Sequence, residues 1–135
     1  MDPYIEITKG IFNSLGGSYK ENIYHSAFEI ELRERGISFQ SEVICPIEYK
    51  GIQIGFERAD IVIYSSGNIP GDSAEKKMDF VIEFKAQIGK IGHKEIQQLR
   101  KYLKNFKLTT GLLINFSNTL EIVKVYEKDY YIIKV

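Results

Sequence analysis

Val81-Ile82-Glu83-Phe84-Lys85-Ala86 holds the feature on which the fold turns. β-branched and aromatic residues dominate it, so it predicts a buried strand. Within that strand a carboxylate and an ammonium stand two residues apart. Side chains alternate along a strand, which puts Glu83 and Lys85 on one face and Ile82 and Phe84 on the other. Asp60 has a similar setting, opening the apolar run Ile61-Val62-Ile63-Tyr64. Charges inside strand cores are costly unless paired or bound to a metal. Two embedded acids, one with a lysine beside it, suggest a divalent-metal site with a cationic helper. A partly buried ion network joining Glu83 and Lys85 to Asp60 or Arg58 would produce the same pattern without a metal.

Outward from these strands the pattern alternates between helix and sheet. Asp2-Pro3 reads as an N-cap followed by Pro at the first helical position, opening a helix over 3–14. Leu15-Gly16-Gly17-Ser18 breaks it, and Ser18 is placed to cap a second helix over about 19–35. There Ile23, Ala27 and Ile30 form one apolar stripe and Tyr24 and Phe28 its neighbour, with Gly36 as the stop. Glu21 falls on the flank of the inward face, where a first-turn acid also suits the helix dipole. Ile37 to Ile47 and Ile52 to Tyr64 predict a hairpin turning at Tyr49-Lys50-Gly51, with Pro46 marking an edge or a bulge. Residues 65–78 are polar and rich in Gly and Pro, an exposed excursion between the two acidic strands. After Glu83 come a helix over about 93–106, with Ile96, Leu99 and Leu103 inward, and strands at Thr109 to Phe116 and Leu120 to Tyr126. An edge strand at Tyr130 to Val135 completes the order. The sum is a mixed α/β sheet with flanking helices.

Composition sets limits. A length of 135 residues predicts one domain, spanning 1–135, with a real core. Lys+Arg 18 against Asp+Glu 18 gives a net charge of +0, which argues against strong non-specific polyanion binding. The charges are uneven, however. Lys85, Lys90, Lys94, Arg100, Lys101, Lys104 and Lys107 crowd one stretch that holds a single acid, Glu95. They form either a solvated helix face or a surface for phosphates. The lone Cys45 fits a reducing cytoplasm and reads as a buried strand residue. No apolar run is long enough for a membrane span, and no signal peptide is expected. His25 lies four residues from Glu21 on the same helical face, bordering the acids or serving as a surface or supporting residue. His93 reads as a helix-start or phosphate-contact residue.

Five motifs, in order, resemble the PD-(D/E)XK nuclease superfamily, the restriction-endonuclease-like fold. Within it the chain is similar to the small bacterial and archaeal GxxExxY proteins, over about residues 5–126. Ser18-Tyr19-Lys20-Glu21-Asn22-Ile23-Tyr24 keeps the Glu and Tyr of the leading motif, with Ser18 at its Gly position. Arg58-Ala59-Asp60 resembles the family's RAD strand start, and Glu83-Phe84-Lys85-Ala86 its E-x-K-A. Gln98-Leu99-Arg100-Lys101-Tyr102 fits the Q-x-x-x-Y helix motif, and Gly111-Leu112-Leu113-Ile114-Asn115-Phe116 the GLLINF strand.

The resemblance implies a nuclease dependent on Mg²⁺ or Mn²⁺. Asp60, Glu83 and Glu21 would be the metal carboxylates, with the Phe84 carbonyl as a further ligand. Lys85 would orient the attacking water or stabilise the transition state. Gln98, Tyr102, Arg100, Lys101 and Tyr24 would form the substrate-binding group. The partner would be nucleic acid, DNA before RNA, with no membrane. A non-catalytic nucleic-acid- or protein-binding module on the same scaffold is the alternative. A homodimer would enlarge the footprint, with Tyr130 to Val135 as its pairing edge.

Overall fold

The structure, a computed structural model, describes residues 1–65 and 77–135. Its elements are α1 (Asp2–Leu15), α2 (Glu21–Glu34), β1 (Phe39–Tyr49), β2 (Ile52–Tyr64), β3 (Met78–Lys85), α3 (His93–Phe106), β4 (Thr110–Phe116), β5 (Leu120–Tyr126) and β6 (Tyr130–Ile133). Six strands form one mixed sheet in the order β1-β2-β3-β4-β5-β6. Neighbours are antiparallel except β3 and β4, which are parallel and joined by the α3 crossover that parallel pairing requires. The excursion expected at 65–78 lies, over 66–76, outside the described residues.

The sheet separates two cores. Ile61, Ile63, Phe80, Ile82, Phe84, Leu112, Ile114 and Phe116 pack beneath α1 and α2. Val62, Val81, Leu113, Val123 and Val125 pack beneath α3. β3 and β4 are buried on both faces, which is why they read as unbroken apolar runs. The alternation expected for β3 holds, with Ile82 and Phe84 under the helix pair and Val81 under α3.

The β1–β2 hairpin turns at Lys50-Gly51, both with positive φ (52° and 78°), the combination that matches strand twist in a two-residue loop. Beyond the turn the register slips by one residue between Ile47 and Glu48, so Ile47 pairs with Gly55 and Ile54 is the extra residue. β3 pairs with β2 only from Ile61 toward Tyr64, so from Asp60 back to Ile52 the strand has β1 as its sole ladder partner.

Three local expectations are corrected. Asp2 lies inside α1, and Met1 takes the N-cap position. Ser18 does not cap α2. It sits at φ 80°, and Lys20 precedes the helix with no side-chain cap. Gly17 explains that tight turn: a Cβ there would lie 2.2 Å from the Ser117 carbonyl oxygen, so only glycine lets the α1–α2 connection touch the β4–β5 turn. The buried face of α2 is Tyr24, Phe28 and Leu32, whereas Ile23 and Ile30 are exposed. Stacking of Tyr24 on Phe116, with centroids 4.1 Å apart and planes within 1°, fixes that rotation.

Candidate metal centre

Where the β2–β3 ladder stops, two side chains replace it. The Asp60 backbone N–H donates to Glu83 Oε1 at 2.7 Å, and the Phe84 backbone N–H donates to Asp60 Oδ2 at 2.8 Å. Each acid thus satisfies an amide on the other's strand, and the pair acts as a clasp between β2 and β3. Side-chain alternation switches at the same point. Ala59 belongs to the α3-side core and Ile61 to the opposite core, although two residues apart. On β1, Ser41 pairs with Ile61 and Val43 with Ala59, while Glu42, opposite Asp60, is skipped and adopts φ 54°. The double break turns Glu42 and Asp60 toward a common space.

α2 supplies the third wall of that space. His25 Nδ1 lies 3.8 Å from Glu42 Oε1, and its Nε2 lies 3.2 Å from Ser41 Oγ and 3.8 Å from Glu29 Oε2. Ser41 Oγ in turn donates to Glu29 Oε2. His25, Glu42 and Asp60 each offer a ligand atom within 4.8 Å of the others.

The electrostatics describe a site short of positive charge. Burial, followed by the Asp60 carboxylate, pushes the Glu83 carboxyl well above the usual range, although two groups, Asp60's backbone N–H and Lys85, pull it down. Asp60 is also raised, first by burial, then by Glu42 and Glu21, against the Phe84 N–H and His25. A divalent cation would reverse both shifts. Two carboxylates and one imidazole, with Glu83 hydrogen-bonded to the Asp60 backbone beside them, are a donor set weighted toward hard oxygens, which suits a divalent cation.

The residues expected here are not all brought together. Asp60 and Glu83 converge. Glu21, the first residue of α2, is exposed on an open cleft lined by Ser18, Tyr19, Lys20, Asn22 and Ala86, and its charge is close enough to raise Asp60. Lys85 Nζ sits 3.5 Å from Gln98 Oε1 across the β3–α3 interface. The Tyr102 hydroxyl donates to the Arg58 carbonyl at 2.9 Å, and its phenol is pushed up by burial and by Glu83. It therefore braces the start of the acidic segment of β2. Lys101 is exposed beside a cavity shared with Cys45, Ile47, Glu57 and Lys104. Two residues of the expected substrate group sit elsewhere. Arg100 spends its guanidinium on the carbonyls of Tyr126 (2.9 Å) and Asp129 (3.1 Å), closing the β5–β6 turn. Tyr24 is fully buried, its hydroxyl donating to the Gly16 carbonyl at 2.7 Å, so it shapes the α1–α2 connection instead of meeting a ligand.

A model of the PD-(D/E)XK nuclease superfamily matches residues 2–126. The chain belongs to that superfamily. Among solved structures, the crystal structure of SSO0001 is similar at 20% identity and a TM-score of 0.50, over 79% of this chain. That likeness shows the fold alone, and the chain spans 50% of the length of that protein. A search of curated proteins finds no match.

In this PD-(D/E)XK chain, sequence reasoning missed Glu42, and it left His25 between bordering the acids and a supporting place. It placed Asn115 in the GLLINF strand but gave its side chain no role. That buried side chain accepts from the Gln87 N–H at 3.1 Å and donates to the Gly89 carbonyl (3.0 Å) and to Glu121 (3.3 Å). Glu121 also holds the Ile91 N–H at 2.9 Å. The loop that follows Lys85 is pinned by this network. Asn115→Ala is expected to cost about 2–3 kcal/mol, because it strands several buried polar groups at once. Denaturant melts would measure it, and amide exchange should quicken at Gln87 first. The signal available in sequence was an Asn inside an otherwise apolar strand.

Proposed function

We propose that residues 1–135 form one nuclease domain of the GxxExxY type, hydrolysing phosphodiester bonds of nucleic acid, DNA in preference to RNA, with Mg²⁺ or Mn²⁺. The observation that carries this reading is the Asp60–Glu83 clasp. A buried Glu83 and a half-buried Asp60 are held side by side with raised affinities for protons, where the fold needs only hydrogen-bond acceptors. Asp60 and Glu83 would hold the cation, with Glu42 and His25 within reach and Glu21 at the rim of the cleft. When bound, the metal supplies Lewis acidity and lowers the pKa of water. Lys85, kept on the Glu83 face by alternation and steadied by Gln98, places a positive charge where a phosphate would develop negative charge. Lys101 and Lys104 lie along the neighbouring helix and would contact backbone phosphates.

A non-catalytic module on the same scaffold is the second reading, favoured by the net charge of +0. Calorimetric titration with Mn²⁺ and Mg²⁺, wild type against Asp60→Ala, separates the two. The nuclease reading expects binding by wild type, loss in the variant, and metal-dependent cut products from DNA. Wild type that binds neither ion and leaves DNA and RNA intact would overturn it. Cleavage should also weaken steeply with added salt, as phosphate contacts require.

A further inference from the structure

The β1–β2 hairpin beyond Glu42 and Asp60 has one covered face and one bare face. Val43, Cys45 and Ala59 are buried against α3, with Ile47, Gly55 and Glu57 half-buried along the same face. On the other face Ile44, Pro46, Glu48, Gln53, Ile54, Phe56 and Arg58 are all exposed. Ile44 keeps 52% of its surface in water, Ile54 67% and Phe56 50%. Cross-strand pairing makes the patch contiguous, since Pro46 lies opposite Phe56 and Ile44 opposite Arg58. The bulge adds Ile54 to it. β3 has already left the sheet here, so neither α1 nor α2 packs on this face, and no other described residue covers it.

We propose that this face is the dimer interface of the chain, occupied by the same face of a second copy. Charge arrangement selects that occupant. From base to tip the face reads Arg58, then the Ile44, Pro46, Phe56 and Ile54 cluster, then Glu48. Two copies related by a two-fold axis with ribbons antiparallel set each Arg58 against the partner's Glu48 and bury the apolar cluster between them, an isologous contact. A polyanion is the wrong occupant, because the face offers one cation and one acid. The four apolar side chains expose on the order of 400 Å² per copy, and the polar rim brings the total toward the low end of specific interfaces, about 1,200 Å². Pairing would cover the face that α3 leaves bare, on an element that holds Asp60 at its base. The interface differs from the β6 edge expected from sequence, and it stands whether or not the protein hydrolyses anything.

Sedimentation velocity from about 1 to 100 µM tests it. Wild type should pass from monomer to dimer in that range, and Phe56→Glu should raise the dissociation constant at least 100-fold with an unchanged circular dichroism melt. Glu48→Arg and Arg58→Glu should each weaken the dimer tenfold or more, and the double exchange should restore it. Should Phe56→Glu fail to fold, this exchange series decides alone. A wild type that stays monomeric at 100 µM overturns the proposal. So does a dimer indifferent to Phe56→Glu, one broken by substitution of Ile132 on β6 instead, or failure of the double exchange to rescue.

Discussion

Glu83→Gln is expected to abolish metal-dependent cleavage, by 10³-fold or more on the scale of lost electrostatic catalysis, and to make the metal-free protein more stable. The amide keeps the acceptor that Glu83 Oε1 offers to the Asp60 N–H, so the clasp survives. What disappears is a charge that burial and Asp60 disfavour. Because the folded-state pKa of Glu83 is raised, the folded chain binds a proton that the unfolded chain lacks between the ordinary carboxylate range and the raised value. Wild-type stability therefore falls as pH rises through that window, and the whole cost is present above it. The gain in the variant should be on the order of 1–2 kcal/mol at neutral pH, a large stabilisation for one substitution, and should vanish toward pH 4. Denaturant melts in chelator at several pH values measure it. A variant less stable than wild type at neutral pH would contradict the account of the clasp.

Lys85→Met is expected to separate holding the cation from using it. Lys85 shares the Glu83 face of β3 and lowers the Glu83 carboxyl, but its amine cannot ligate a metal while protonated. Removing it takes a positive charge away from the acids, so calorimetric Mn²⁺ affinity should hold or rise slightly. Cleavage should fall about 10²–10³-fold, the usual loss when one preorganised transition-state donor is removed. Loss of metal affinity and cleavage together would assign Lys85 to the integrity of the pocket instead.

Much of this architecture was legible because single residues signal it strongly. Lys50-Gly51 specified the hairpin turn, Gly36 ended α2, and the spacing of Ile96, Leu99 and Leu103 located α3 to the residue. Asp60 and Glu83 stood out because charge in an apolar strand needs a reason. Glu42 was hidden by arithmetic. Counting back from a two-residue turn sets it opposite Ala59, and only the extra residue at Ile54 moves it opposite Asp60. No propensity announces such a slip. The exposed side of α2 was misjudged because Ile23, Ala27 and Ile30 repeat as regularly as Tyr24, Phe28 and Leu32, and the choice rests on what Phe116 stacks against. Arg100 lay in a motif, yet its partners are carbonyls, which sequence does not distinguish from one another.

The clasp has an evolutionary corollary. For holding β2 to β3, Asn at position 60 and Gln at position 83 would accept the same two N–H groups without any ionisation penalty. A lineage selected only to keep its shape would drift to those amides at no structural loss. On the proposed metal-dependent reading the acids stand in place of those isosteres because they serve a cation, and a variant carrying the amide pair should be folded, robust and without metal affinity.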